Sequence, residues 1–195
     1  MACDLTKGRG IPCRDLIGGV KYVYFLSLTD IISVTSAAGE LTVLGVKVAT
    51  PAISAKRYAI RRGNASITET VTGSTQNGTV VYAPSLNIKL TGLSKDDQNE
   101  LKLLAQTQVV ALVQLNQIKS GTTPSQNQIM VLGATNGLDL NTGSNASGAA
   151  FEDMNGYDWT FEGQEFEPML VAKDFTSVPL DNLNTGGAII PVDID

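Results

Sequence analysis

The stretch that decides the fold is Gly78–Gln117, which reads GTVVYAPSLNIKL (78–90), TGLSKDDQNELKLLAQT (91–107) and QVVALVQLNQ (108–117). The hydrophobic period changes here from two to 3.6 and back, which predicts a strand, a helix and a second strand. The rest of the chain reads as short strands, turns and Gly/Asn-rich loops. We therefore predict a mainly β (α+β) fold, an antiparallel β-barrel or sandwich with one flanking helix.

A capping signal marks the start of the predicted helix, which we place at about 94–107. Ser94 stands where an N-cap is expected, and Asp97 follows at the third helical position,. Leu101 and Leu104 fall on one face, which indicates packing against a sheet. We interpret the helix as a brace for the two flanking strands rather than as a functional site.

The length of 195 residues, with 43% apolar residues, suits one well-cored domain,. We predict an N-terminal arm over 1–19, a β domain over 20–172 and a C-terminal arm over 173–195. The first segment is rich in glycine and charge, and the last contains Pro179 and Pro191,. Extended arms of this kind suit contacts between subunits.

The charge is unevenly distributed along the chain, although the net charge is only −5. Residues 1–62 contain nine Lys/Arg and four Asp/Glu, whereas residues 63–195 contain five and fifteen. A net acidic chain argues against tight binding of DNA or RNA. The asymmetry instead favours complementarity between copies of the same chain.

The sequence predicts no metal or cofactor site. It has no His, so a Cys/His zinc site is excluded, and Cys3 and Cys13 are its only thiols,. These two are free or structural cysteines, a disulfide that ties the N-terminal arm, or metal ligands. Asp139, Asn141 and Gly143 match part of a calcium loop but lack its distal Glu.

No segment approaches the roughly 18 apolar residues of a membrane-spanning helix, and MACDLTKGRG lacks the apolar region of a signal peptide,. We therefore expect no membrane contact and synthesis in the cytoplasm. The glycosylation sequons at Asn64, Asn77 and Asn145 are interpreted as chance products of polar loops.

Four basic residues cluster within seven positions around a single aromatic residue, Tyr58. This cluster is a solvated strand end, a contact with an acidic neighbouring subunit, or a DNA contact; a nucleic-acid site would use more stacking aromatics. The basic candidates for a subunit interface are Lys56, Arg57, Arg61 and Arg62.

A polar turn, GSTQNG at 73–78, joins two alternating segments and predicts a long hairpin,. The hairpin is too thinly apolar to be core throughout, which is typical of a hairpin that projects toward a partner. Its interface candidates are Gly73, Gln76, Asn77 and Gly78.

Residues 151–167 contain six acids and no base. A carboxylate pair beside Trp159 could hydrolyse a glycoside, and that activity would disappear on replacing Glu162 or Glu165. Alternation of the acids with Tyr157 and Phe161 more simply indicates the wet side of one strand. The acidic interface candidates are Glu152, Asp153, Asp158, Glu162 and Glu165.

The chain lacks the usual machinery of catalysis at neutral pH. It contains no histidine and no phosphate-binding loop, since KGRG at 7–10 meets neither glycine-loop spacing,. We therefore predict no catalytic residue and no enzymatic activity.

The order of several motifs resembles a family of virion structural proteins from phages of Bacteroidetes and marine bacteria, including crAss-like phages. The motifs are the GTVVY strand, LTGLS, the amphipathic helix, QVVALVQLNQ, VLGATNGLDLNTGSNASG and FEDMNGYDWTFEGQE, and the opening MACDLTKGRGIPCRDLIGGVKYVYF is also similar. The resemblance covers most of the chain and implies the phage tail-tube fold. It supplies no catalytic residue.

What the resemblance implies is a self-assembling subunit of a phage tail tube or tail ring. The rings, which we expect to be six-fold, would stack head-to-tail into a conduit through which DNA passes unbound, with other tail or neck proteins as neighbours. The location would be the virion, after assembly in the host cytoplasm. Two alternatives are a neck or head–tail connector ring and, from another class, a carbohydrate-binding β-sandwich.

Overall fold

A computed structural model describes residues 8–9, 17–49, 52–118, 126–175, 178–184 and 190–193. The described chain contains two β-sheets and one α-helix. In chain order the elements are β1 (Val20–Ser27), β2 (Ile31–Ala37), β3 (Glu40–Val46), β4 (Ala55–Ala59), β5 (Ala65–Ser74), β6 (Thr79–Thr91), α1 (Lys95–Leu104), β7 (Val109–Ile118), β8 (Asn127–Leu132), β9 (Asp139–Ala146), β10 (Gly156–Glu162), β11 (Leu170–Ala172) and β12 (Val192–Asp193).

The larger sheet has eight strands in the order β12-β4-β1-β7-β8-β11-β3-β2. Most of its pairs are antiparallel, as the short connections predict, but β11 pairs with β3 and β12 pairs with β4 in parallel. Strands near the two ends of the sheet, β3 and β4, contribute to one apolar cluster. The sheet therefore curves around that cluster.

Strand β7 lies at the centre of the larger sheet and is buried on both faces. Val110 and Leu112 belong to the cluster enclosed by the curved sheet, while Val109, Ala111 and Val113 belong to a second cluster on the opposite face. Because successive side chains of a strand point to opposite faces, an unbroken apolar run is required at this position. The second strand predicted within 108–117 is confirmed.

The smaller sheet has four antiparallel strands in the order β5-β6-β10-β9. It packs its apolar face on the second cluster, to which it contributes Leu86, Ile88, Tyr157, Trp159 and Phe161. These five side chains are fully buried. The two sheets therefore form a sandwich across this cluster.

The predicted helix is present and is capped as expected. The Asp97 N–H donates to Ser94 Oγ at 3.0 Å, and the Tyr157 hydroxyl donates to Ser94 O and accepts from Ser94 N–H. The helix ends at Leu104, before the predicted 107, because the chain turns there toward β7. Leu101 and Leu104 pack on the second cluster.

The mainly β class with one helix is confirmed, but the described strands form two open sheets rather than a closed barrel. The Gly/Asn-rich stretch after β8, which its composition predicts to be loop, is strand over β9. Residues 139–146 contain only one large apolar side chain, Leu140, and therefore lack a strand pattern. Their strand conformation comes from pairing with β10.

Most of the predicted N-terminal arm, with Cys3 and Cys13, lies outside the described residues. The segment predicted as the C-terminal arm contributes three buried side chains, Leu180, Leu183 and Ile190, to the cluster enclosed by the larger sheet. Its strand β12 pairs with β4. This segment is therefore part of the domain's packing.

Candidate functional site

The smaller sheet has one buried face and one exposed face, and the exposed face is polar. On β6 and β10, polar residues alternate with the buried residues and point to the exposed face. They are Ser85, Asn87, Asp158, Thr160 and Glu162. The neighbouring strands continue this pattern with hydroxyl and amide side chains. These are Ser66, Thr68, Thr70 and Thr72 on β5, and Asn141, Thr142 and Ser144 on β9.

One hydrogen-bonded network lies at the centre of this polar face. Asn87 Nδ2 donates to Asp158 Oδ1 at 2.7 Å and to Thr160 Oγ1 at 3.0 Å. Lys89 Nζ lies 3.2 Å from Asp158 Oδ2 and forms an ion pair with it. Asp158, predicted as part of an acidic interface, is thus neutralised within the same subunit.

The two outer strands of this sheet, β5 and β9, leave open edges with one protective feature each: an inward-pointing charge, Glu69, on β5 and a bulge at Asn141 on β9,. Natural edge strands are usually guarded by Lys, Pro or bulges. Neither strand contains Lys, Arg or Pro. The one charged residue of β5, Glu69, turns inward and accepts from the Met169 N–H at 2.6 Å, and the one charged residue of β9 is Asp139 at its first position.

The predicted hairpin is present and extends beyond the rest of its sheet. Strands β5 and β6 pair without interruption from Ala65–Ile88 to Ser74–Thr79, whereas β10 pairs with β6 only over Ser85–Thr91. The four predicted contact residues, Gly73, Gln76, Asn77 and Gly78, are all exposed at its distal end.

The apolar face of the hairpin continues past the core that it covers. Ile67 and Leu86 pair within the second cluster, and the same face continues outward through Val71–Tyr82 and Val80. Val71 and Val80 are 58% and 54% exposed. The hairpin therefore exposes two valines that lie beyond the apolar cluster of this chain.

The predicted basic cluster lines a groove of about 410 Å³ between β4, the end of β6 and α1. Acids share this groove, so it is not a basic patch. Its charged lining consists of Lys56, Arg57, Arg61 and Lys89 together with Asp96, Asp97, Glu100 and Asp193. Lys56 forms an ion pair with Asp193.

Two further basic residues of the cluster differ in their surroundings. The Arg57 guanidinium lies 4.7 Å from the centre of the Tyr22 ring, a cation–π contact,. Arg62 is exposed and lies outside the groove lining. Burial raises the pKa of Tyr58, which also lines the groove, to about 12, and the nearby Glu100 and Asp97 contribute to the rise.

The predicted carboxylate pair, Glu162 and Glu165, does not converge on one cleft. Glu165 is buried, and its Oε1 accepts from the Thr135 and Asn136 N–H groups at 3.0 and 2.9 Å. Glu162 is exposed opposite Asp139 and accepts from Asn141 Nδ2 at 3.1 Å. Glu165 therefore holds a turn, while Glu162 lies on the polar face.

The remaining predicted acids, Glu152 and Asp153, lie in the exposed loop before β10. Asp153 Oδ2 accepts from the Ala149 and Ala150 N–H groups at 2.8 Å each, and these bonds lower the pKa of Asp153. The acids of 151–167 are thus divided among a loop, a polar face and a buried turn. They do not form one patch.

Trp159, which a carbohydrate-binding site would need at the surface, is fully buried. Among the described residues, no group of three or more His, Cys, Asp or Glu is arranged to hold a metal ion. Within the same part of the chain, no helix has the length and apolar character needed to span a bilayer.

Comparison with family models, with curated proteins and with solved structures finds no match to this chain. Sequence reasoning identified the hairpin but missed the β9 edge, because the only signal there is Leu140 followed by polar residues.

Proposed function

We propose that this protein is a structural subunit that assembles edge-to-edge into a ring, as a tail-tube or tail-ring protein of a phage virion. The observation that carries the proposal is the four-stranded sheet, which has a polar outer face and two open edge strands without Lys, Arg or Pro. The phage assignment itself rests on the sequence resemblance given above. DNA would pass through the ring without specific binding.

The direction of the strands suits ring formation. Because all neighbours in β5-β6-β10-β9 are antiparallel, the two edge strands run in opposite directions. A copy rotated about an axis along the strands therefore brings its β9 antiparallel to the β5 of its neighbour. A contact between two different patches is heterologous, and it closes into a ring when the rotation divides a full turn.

The lengths and chemistry of the edges support the same pairing. β5 has ten residues and β9 has eight, so a ladder of backbone hydrogen bonds is possible on both sides of the β9 bulge at Asn141. Strand addition of this kind takes its affinity from the main chain and needs no charged side chains. We expect six copies in the ring, whereas a count of twelve would favour the neck or connector alternative.

The polar face suits a channel for DNA. In such a ring this face and its counterparts form one continuous surface of Ser, Thr and Asn side chains together with the acids Asp158 and Glu162. The only base in the four strands is Lys89, which is paired with Asp158. Each phosphate held by Lys or Arg adds a counterion-release term to binding, so a face without free bases lets DNA slide.

Electron microscopy and light scattering of the purified full-length protein test the proposal. We expect rings in wild type and a shift to monomer in Thr68→Lys/Thr70→Lys, since charged side chains guard an edge strand. Ser85→Lys, on the central strand β6, is the matched control and should leave rings intact. A wild-type monomer at high concentration in every condition would contradict the proposal.

A further inference from the structure

Three Asn–Gly pairs occur in the described chain, and the structure places them in different surroundings. An asparagine before glycine is chemically labile, because the glycine N–H is not shielded by a Cβ and can reach the asparagine side chain. Reaction requires a local backbone free to bend. The three pairs are Asn77–Gly78, Asn136–Gly137 and Asn155–Gly156.

The backbone and side chain of the Asn136–Gly137 pair are fixed by hydrogen bonds. The Asn136 N–H donates to Glu165 Oε1 at 2.9 Å, its side-chain amide donates to Gln164 O at 2.7 Å, and the Gly137 N–H donates to Gly133 O at 3.2 Å. Gly137 is also buried. The nitrogen that would attack is thus already engaged.

Asn155–Gly156 is held by the smaller sheet. The Asn155 carbonyl accepts from the Gly92 N–H at 2.8 Å, and Gly156 is paired with both Thr91 and Ala146. The Gly156 Cα packs so closely on Leu90 that an added Cβ would lie 1.9 Å from Leu90 O. Bending here requires the end of the sheet to open.

Asn77–Gly78 lies at the exposed hairpin tip, outside the paired part of both strands. The backbone of Asn77 is held only by a 3.3 Å bond from its N–H to Ser74 Oγ, and no backbone partner of the Gly78 N–H is found among the described residues. Gly78 has a φ of +63°, a conformation that favours glycine,.

We propose that Asn77 is a site of spontaneous deamidation in the free subunit and that assembly protects it. The Gly78 nitrogen attacks Asn77 Cγ and expels ammonia, which closes a succinimide ring; water then opens the ring to aspartate or isoaspartate. The protection rests on the proposed function. The reaction itself depends only on the hairpin tip.

The product changes the character of the tip. Residues 70–83 contain no charged side chain, and Val71 and Val80 are exposed on one face. Deamidation places a negative charge there, and isoaspartate also adds a backbone methylene group. Subunits that stay unassembled for a long time would therefore lose, through deamidation, the uncharged surface that a neighbouring copy contacts.

Peptide mass spectrometry and isoaspartate labelling of the full chain test this site during incubation at mildly alkaline pH. We expect conversion at Asn77 to be about tenfold or more faster than at Asn136 or Asn155, because the latter two require local opening. In denaturant the three rates should converge. Asn77→Gln should abolish the fast conversion, whereas Asn155→Gln should leave it unchanged.

If Asn136 or Asn155 deamidates as fast as Asn77 in the folded protein, the assignment of Asn77 as the labile site is wrong. The second part of the experiment measures the same rate in rings separated from free subunits. Deamidation at Asn77 should be several-fold slower in the rings. Equal rates in rings and free subunits would overturn the protection by assembly. If no rings form at all, the proposed function is wrong. The relative deamidation rates of the three asparagines still test whether Asn77 is the labile site.

Discussion

The two sheets use their strands for different purposes. In the larger sheet the central strand β7 buries successive side chains on opposite faces, so it offers nothing to a partner. In the smaller sheet β10 buries Trp159 while its neighbours Asp158 and Thr160 lie on the polar face. The central strand of the larger sheet thus serves the core on both faces, whereas the smaller sheet serves the core on one face and presents a surface on the other.

The largest expected effect comes from the core of the larger sheet. Leu112→Ala should lower the free energy of unfolding by about 2–5 kcal/mol, because it removes a fully buried side chain and leaves a cavity,. Thr142→Ala, on exposed β9, should change it by less than about 0.5 kcal/mol. Denaturant titration measures both, and equal losses would contradict the contrast between the buried central strand β7 and the exposed edge strand β9.

A smaller effect is expected where the two sheets are joined. The Glu165 backbone pairs with Tyr82 of β6, and its carboxylate holds the turn that follows β8. Glu165→Ala should cost about 1–3 kcal/mol, because it removes two hydrogen bonds to a buried carboxylate,.

Hydrogen exchange provides the local readout for this variant. The amide protons of Thr135 and Asn136 should exchange faster in Glu165→Ala, since they lose their acceptor. Glu162→Ala, which removes an exposed carboxylate, is the control and should leave both rates unchanged. Unchanged exchange in Glu165→Ala would show that another group holds this turn.

The smallest effect concerns alkaline pH and a buried tyrosine of the larger sheet. Burial raises the pKa of Tyr24 to about 12 from the ordinary 10.0. The folded state therefore holds the proton more tightly than the unfolded chain. The resulting stabilisation is complete below pH 10 and is lost as the pH rises from 10 to about 12,.

Tyr24→Phe should make the loss of stability between these pH values less steep. At neutral pH it should cost about 1 kcal/mol, because the Tyr24 hydroxyl donates to Gln114 Oε1 at 2.9 Å,. Urea titrations on both sides of pH 10 measure the change. The raised pKa of Tyr58 predicts the same behaviour for Tyr58→Phe, and an unaltered slope in both variants would contradict the assignment.

Much of the fold could be predicted because local signals agree with the tertiary structure. The Ser94 cap, the amphipathic face of α1 and the apolar run of β7 each specify one element on their own. The helix limits shifted by three residues at the C-terminal end, where no capping signal stands. Strand β9 could not be predicted, because its strand conformation comes from backbone pairing with β10 and not from an alternating pattern of apolar side chains.

The candidate surfaces were only partly predictable, for a related reason. The hairpin tip is local in sequence and was identified. The four basic residues of the cluster are close in sequence, yet Asp193 and the acids of α1 come from distant positions to face three of them. Likewise Lys89 reaches Asp158 across a strand pair. Charge that is clustered along the chain need not be exposed together.

The parallel pairing of β12 with β4 has a consequence for the time course of synthesis. Lys56 and Asp193 are 137 positions apart, so β4 leaves the ribosome on the order of ten seconds before its partner strand does,. During that interval its edge is open to other nascent chains. Lys56 and Arg57 on β4 are the kind of charged side chains that discourage such pairing, and the late arrival of Asp193 then neutralises one of them.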